Sequence, residues 1–313
     1  MTINQILIPL DGSPLAESVL PYAKQFAAGM KWDVELLHVV APPAPAAPRE
    51  ERAAEAARQA AESYLQRVAA SFADTGCRIT VRVAQGLSRE ELPTPRDQET
   101  RASVEIVQIA ASHPGTLTAM STHGLAGVSR WLMGSVANGV LHHSAGPLLL
   151  IHPKPRSPVG AEPTLRTVVV ALDGAPIAEE VLPHVAVLAK GLALKVLLIR
   201  AAPSVGERSP FSGSGPADPP DLSSSTQEGA TAAQEYLNGI AARLKSEGVA
   251  GVETRVADGD AAGAIIDAAN EGGDSFVAMT TRSRAGLARM VLGSVADRVT
   301  RHAGVPVWLV RPT

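Results

Sequence analysis

The sequence predicts an α/β protein built twice: two tandem domains, each a doubly wound, parallel five-stranded sheet with helices on both faces. Three observations carry that prediction. Short apolar runs alternate with longer segments of helical periodicity, the pattern of parallel strands joined by crossover helices. Much of the chain is written twice: "QILIPLDGSPLAESVLPYAKQFAAG" (5–29) is matched by "TVVVALDGAPIAEEVLPHVAVLAKG" (167–191), and "RWLMGSVANGVLHHSAGPLLLIHP" (130–153) by "RMVLGSVADRVTRHAGVPVWLVRP" (289–312). Hydrophobic residues make up 45% but aromatics only 3%, so Val, Ile, Leu and Ala must fill the cores, as suits buried parallel strands under Ala-rich helices. A repeat this long in 313 residues means two copies of a domain and not a solenoid. The copies run over 1–153 and 165–313, and "KPRSPVGAEPT" at 154–164 reads as a linker.

In copy one, Ile6–Leu10 is the first buried strand. Asp11-Gly12-Ser13-Pro14 turns the chain, and Pro14 suits the first turn of a helix carrying Ala16, Val19, Leu20 and Ala23 at helical spacing. Asp11, and Asp173 in copy two, are candidate helix N-caps. Val34–Val40 is the second strand, Arg49–Phe72 a long helix, Ile79–Val83 the third strand and Ser103–Ala111 a helix. Leu117–Met120, a helix over Gly134–Ser144, and Leu148–Ile151 complete the copy. Copy two repeats the strands near Val168–Leu172, Lys195–Arg200, Val252–Val256, Ser275–Met279 and Val307–Val310. The loops differ: the Pro/Ala connector at 41–50 corresponds to a longer Ser-, Gly- and Pro-rich segment at 203–229, expected to be a mobile loop, and copy one alone has the polar insertion "LSREELPTPRDQETRA" at 87–102.

Composition excludes several function classes. A net charge of −3 supplies no global pull toward nucleic acid or an anionic membrane. No apolar run approaches the roughly 18 residues that span a bilayer, and "MTINQILIPLDG" shows no basic segment leading into a long apolar core, so no signal peptide is expected. Cys77 is the single cysteine, which rules out an intrachain disulfide and a Cys-based zinc cluster and fits the cytoplasm. There is no Gly-x₄-Gly-Lys-Ser/Thr loop, no His-Glu-x₂-His helix and no Gly-x-Ser-x-Gly elbow. His142 and His143, with His302 matching the latter, are neighbours on a helix and do not share a face for a metal.

The informative stretch is "MSTHGLAGVSRWLMGSVANGV" at 120–140. In a doubly wound sheet, ligands sit beyond the carboxyl ends of the strands at the switch point, and the fourth strand delivers Ser121–Met133 to that place. Gly124 lets a ligand approach the main chain closely. Gly134-Ser135 opens the next helix, whose free N–H groups and partial positive charge favour an anion. Ser121-x₂-Gly124-x₉-Gly134-Ser135 thus has the parts of a phosphate cradle, although loop glycines at this spacing also serve plain turns. Gly127 and Gly286 read as turn residues, Trp131 as an apolar anchor, and Arg130 and Arg289 as surface residues or partners of an anion. His38 reads as a strand-end residue bonded locally and not as a catalyst.

Each copy resembles a universal stress protein domain. The family's phosphate motif, Gly-x₂-Gly-x₉-Gly-Ser/Thr after an apolar strand ending in Met, is similar to Met120-Ser121-Thr122-His123-Gly124 followed after nine residues by Gly134-Ser135-Val136. Pro9-Leu10-Asp11 resembles its Pro-x-Asp corner, and His38-Val39-Val40 the end of its second strand. One departure is Ser121 in place of the first glycine. The resemblance implies a flavodoxin-like, adenine nucleotide alpha hydrolase-like fold and an ATP site in copy one. It implies Asp11 at the nucleoside end with Pro9, Val39 or Val40 at adenine, Met120 and Ser121 at the ribose, and Gly124, Gly134, Ser135 and Val136 at the phosphates. ADP or AMP are alternative ligands, and Mg²⁺ is expected on the phosphates with no protein side chain as ligand.

Copy two departs further. Thr280-Thr281-Arg282-Ser283 replaces both early glycines and Ala171 replaces the proline, while Asp173 and Gly293-Ser294-Val295 persist. Arg282 could offset the lost glycines by pairing with phosphate, or be a solvated surface residue. The resemblance further implies that the copies pack as a pseudo-dimer through Leu148–Ile151 and Val307–Val310, with a homodimer of whole chains also open. The expected function is a nucleotide-dependent sensor or protective factor in the stress response, with ATP as a switch ligand. The rivals are an interaction scaffold with vestigial pockets and a slow ATP hydrolase.

Overall fold

The structure is a computed structural model and describes residues 2–41, 48–86, 101–122, 133–152, 164–202, 222–281 and 292–312. The first half contains β1 (Gln5–Pro9), α1 (Leu20–Met30), β2 (Asp33–Val40), α2 (Pro48–Ala70), β3 (Ile79–Gln85), α3 (Arg101–Ser112), β4 (Thr116–Ser121), α4 (Ser135–His143) and β5 (Leu148–Ile151). The second repeats it with β6 (Thr167–Ala171), α5 (Leu182–Gly191), β7 (Lys195–Ala202), α6 (Leu222–Ser246), β8 (Val252–Asp258), α7 (Ala261–Asn270), β9 (Ser275–Thr280), α8 (Ser294–His302) and β10 (Val307–Val310). Among the described residues no helix is long and apolar enough to cross a membrane.

The strands form one sheet in the order β3-β2-β1-β4-β5-β10-β9-β6-β7-β8. Pairing is parallel within each half, and β5 meets β10 antiparallel, with Trp308 opposite Leu149. Each half therefore winds outward from its first strand in both directions, and the crevice between the carboxyl ends of β1 and β4, or of β6 and β9, is the switch point where a doubly wound sheet leaves room for a ligand.

The sequence expectation of a helix directly after Pro14 is corrected. A 3₁₀ turn over Ala16–Val19 comes first, with the Leu20 N–H bonded to the Glu17 carbonyl. Pro21 is the reason: it has no N–H to give Glu17 an α-helical i→i−4 bond, so the turn closes one residue tighter. Pro183 has the same effect in the second half, where the 3₁₀ segment Pro176–Val181 ends on a Leu182 N–H to Glu179 carbonyl bond. Asp11 and Asp173 are not the N-caps of these helices. Asp11 Oδ1 accepts the Ser13 N–H and Asp173 Oδ1 the Ala175 N–H, each at 2.9 Å, closing local Asx turns. A second correction falls on 203–229: α6 begins at Leu222, and residues 203–221 lie outside the described residues. Ala233, Leu237, Ile240, Ala241 and Leu244 are buried along α6, a helical stripe that outweighs its Ser-rich start.

Where the halves meet, the few aromatics gather. Trp308 lies 5.4 Å from Phe26 and 6.2 Å from Trp32 by ring centroid, and Phe26 meets Phe276 edge-on at 5.6 Å. Gln25 bonds Leu165 in both directions, Nε2 to the carbonyl and N–H to Oε1, each at 2.8 Å.

One turn depends on a glycine. Gly115 precedes β4 at φ +89°, and a Cβ there would fall 2.6 Å from the Thr2 carbonyl oxygen. Gly115→Ala is expected to cost more than about 1 kcal/mol, since both the backbone region and the space resist a side chain. Urea denaturation measures it, and an unchanged midpoint would contradict this account of the turn.

Candidate functional site

A cleft of about 240 Å³ opens at the switch point of the first half. Its walls come from four places: Pro9, Leu10 and Asp11 at the end of β1, Leu37 and Val39 on β2, Ala102 and Ile106 on α3, and Met120, Ser121 and Thr122 at the end of β4. Ala16 and the start of α4, Gly134 to Ala137, complete it. The geometry follows from strand alternation: Leu37 and Val39 share one face of β2, so His38 and Val40 turn away from the cleft. Of the two alternatives, Val39 or Val40, it is Val39 that lines the space. Sequence reasoning missed Ala102 and Ile106. Ala102 reads as the end of the polar insertion and Ile106 as part of the following helix, and nothing local says that either reaches the strand ends.

The polar end of the cleft is the amino terminus of α4. Thr122 donates its N–H to the Ile151 carbonyl and accepts the Gly134 N–H at 2.8 Å, which holds the helix start against β4 and β5. Gly134 caps α4 without a side-chain hydrogen bond, and the first intrahelical bond is Asn138 N–H to the Gly134 carbonyl. The N–H groups of Ser135, Val136 and Ala137 therefore have no intrahelical acceptor, and all three residues line the cleft. The Ser135 hydroxyl adds a donor. An apolar slot at β2, α3 and Met120, a carboxylate at Asp11 and orphan donors at α4 together fit a ligand with a flat apolar end, hydroxyls and an anionic tail. Gly124, His123, Gly127, Arg130 and Trp131 lie outside the described residues.

The second half holds a smaller cleft of about 150 Å³, lined by Asp173, Ile199, Ala201, Met279, Thr280 and Gly293 to Ala296, among others. Asp173, Gly293, Ser294 and Val295 thus fall where Asp11, Gly134, Ser135 and Val136 do. Ile177 enters this lining, whereas its counterpart Leu15 is exposed. Arg282, Gly286 and Arg289 lie outside the described residues.

No group of three or more His, Cys, Asp or Glu able to hold a metal exists among the described residues. His143 Nδ1 pairs with the Gly139 carbonyl at 2.8 Å, a local helix contact. His38 sits edge-on to Tyr64 at 6.2 Å, with Nδ1 buried and without a hydrogen-bond partner. Burial holds its pKa below the ordinary value, against the opposing pull of the Asp11 charge. His184 is lowered by burial too. A histidine with a depressed native pKa binds its proton less readily than the unfolded chain does, so this stability is complete above about pH 6.5 and is lost as pH falls below it. The urea midpoint is expected to drop between pH 7.5 and 5.5, and His38→Gln to make that drop shallower. An equal drop in the variant would contradict the assignment.

Fold and site together define a tandem α/β protein with a ligand-sized cleft at each of two switch points, each floored by a helix amino terminus. The chain belongs to the universal stress protein family: the family model described as "Universal stress protein family" matches residues 2–152 and again 164–311. A universal stress protein of Mycolicibacterium smegmatis is 24% identical over 310 residues, covering 98% of this chain and 97% of its own. Among solved structures, a universal stress protein from Archaeoglobus fulgidus superposes with a TM-score of 0.72 at 20% identity, covering 99% of both chains. A protein of unknown function from Pseudomonas aeruginosa PAO1 superposes at 0.65 and 14% identity, covering 99% of this chain and 93% of its own.

Proposed function

We propose that the first half binds an adenine nucleotide, ATP foremost, and that the protein acts in the stress response as a nucleotide-dependent sensor or protective factor. One observation carries this reading. Pro9, Asp11, Val39, Met120, Ser121, Gly134, Ser135 and Val136, which the family resemblance implies as ligand residues, all line one cleft. In this reading the base lies between Val39, Ile106 and Met120, the Asp11 carboxylate accepts from ribose hydroxyls, and the N–H groups of Ser135 and Val136 take the phosphates. Mg²⁺ accompanies the triphosphate and is held by phosphate oxygens and water. Ligand binding biases the protein between states of unequal affinity, which is what a switch requires. The tandem halves take the part of a pseudo-dimer, and the second cleft is a weaker candidate because it is smaller and lacks the early glycines.

The test is direct. Freshly purified protein is denatured, and the released small molecules are identified by chromatography and mass spectrometry, with calorimetric ATP titration of ligand-stripped protein alongside. Released adenine nucleotide, or a saturable ATP isotherm of one site per chain, is the expected result. Neither released nucleotide nor ATP binding would favour the scaffold reading and overturn this one.

A further inference from the structure

The helix α4, whose start floors the first cleft, is held at both of its ends. At the start, the Thr122 carbonyl accepts the Gly134 N–H at 2.8 Å. The last turn is held by the second half: Arg311, just beyond β10, donates Nη2 to the Leu141 carbonyl. That carbonyl is one of the terminal acceptors a helix leaves without an intrahelical donor. The other arm of the guanidinium, Nη1, donates to Thr281 Oγ1 at 3.4 Å. Thr281 lines the second cleft and is the counterpart of Thr122: its N–H bonds the Val310 carbonyl at 3.0 Å, as that of Thr122 bonds the Ile151 carbonyl at 2.9 Å. Arg311 is buried. Burial lowers its pKa to about 10, so it stays charged at neutral pH. With nine residues, α4 is about 13 Å long, and it runs from the first cleft to a side chain that touches the wall of the second.

We propose that Arg311, a residue of the second half, is a positioning residue of the first cleft: by gripping the carboxyl end of α4 it sets where the N–H groups of Ser135 and Val136 stand, and so the affinity for a polyphosphate. This deepens the nucleotide reading and rests on it. Two physical effects act together. A cation against the last carbonyls complements the negative end of the helix dipole, which favours an intact α4 with its first N–H groups turned to an anion. The bond to Leu141 also fixes α4 along its own axis. Ala137 and Gly139 on the buried face of α4 offer little side chain to interlock with a neighbour, so packing alone resists such a slide weakly. The grip is itself fixed, because the guanidinium is planar and its second arm is anchored on Thr281 at the end of β9. Arg311 does not line the first cleft and acts through α4.

The experiment measures ATP affinity of the full chain by calorimetry for wild type, Arg311→Met and Arg311→Lys, together with the amide resonances of Ser135 and Val136 in the ligand-free proteins by NMR. Arg311→Met should bind ATP about three- to tenfold more weakly and displace both resonances. Arg311→Lys, which keeps the charge and one donor, should restore most of the affinity and leave the resonances near their wild-type positions. Trp308→Ala is the control for a merely structural role. It loosens the same strand from the opposite sheet face and should leave affinity unchanged. Should Arg311→Met not fold, the wild type decides: the guanidinium resonance of Arg311 should move when ATP is added, and a resonance that stays still while ATP binds overturns the inference. Wild-type affinity and unmoved amide resonances in Arg311→Met overturn it too, as does an equal loss of affinity in Trp308→Ala, and each leaves the nucleotide reading standing. Absence of ATP binding in the wild type overturns the nucleotide reading, while the amide resonances of the ligand-free variants still judge the grip of Arg311 on α4.

Discussion

Replacing Trp308 with alanine is expected to lower the unfolding free energy by about 3–5 kcal/mol, the range for deleting a large aromatic from a closed core. Trp308 has no exposed surface. It pairs with Leu149 where β10 meets β5, and its ring touches Phe26 and Trp32 of the other half. The hole left behind is walled by β-sheet on one side and α1 on another, so it cannot collapse easily. The indole nitrogen is buried without a hydrogen-bond partner. Trp308→Phe therefore gives up volume but also removes an unsatisfied N–H, and should cost much less than the alanine change. Guanidinium denaturation followed by circular dichroism distinguishes the two. An alanine variant within about 1 kcal/mol of wild type would show that the aromatic cluster does not hold the halves together.

Val39→Trp is expected to weaken ATP binding by about 100-fold, roughly 2.7 kcal/mol, with little loss of stability. Val39 is only partly buried and lines the cleft, so an indole there occupies the slot assigned to the base without displacing core atoms. Ala201 is the equivalent residue in the second cleft. The matching change Ala201→Trp should leave binding to the first half untouched, which makes it the control for any general effect of a surface indole. Equal affinity in wild type and Val39→Trp would move the ligand out of this cleft.

Much of this was legible in the sequence, for identifiable reasons. Apolar runs such as Ile6–Leu10 and Leu148–Ile151 are too short for anything but strands, and they fall within a residue of β1 and β5. The repeat placed the second half by analogy with the first. The candidate site was legible as far as its motif positions go, because strand ends and helix starts are where motifs sit: Asp11 closes a turn and Gly134 opens α4. What failed were contributions set by distance in space. Ala102 and Ile106 reach the cleft only because α3 packs over β4 and α4. The 3₁₀ turn before α1 was not legible because Pro14 is itself a helix-start signal, whereas the missing N–H of Pro21 decides the geometry. The helical start of α6 was hidden by Ser-rich local chemistry, which the buried stripe beginning at Ala233 outweighs. The Val39 and Val40 alternatives could have been separated beforehand, since the period of two along β2 admits only one of them to each face.

The most direct test of the central claim is a crystal structure of the full chain grown with excess ATP and Mg²⁺. The account predicts the base between Val39, Ile106 and Met120, the ribose at Asp11, and the phosphates against the main-chain N–H groups of Ser135 and Val136. A cleft filled by the protein's own side chains, or nucleotide bound elsewhere on the molecule, would contradict it.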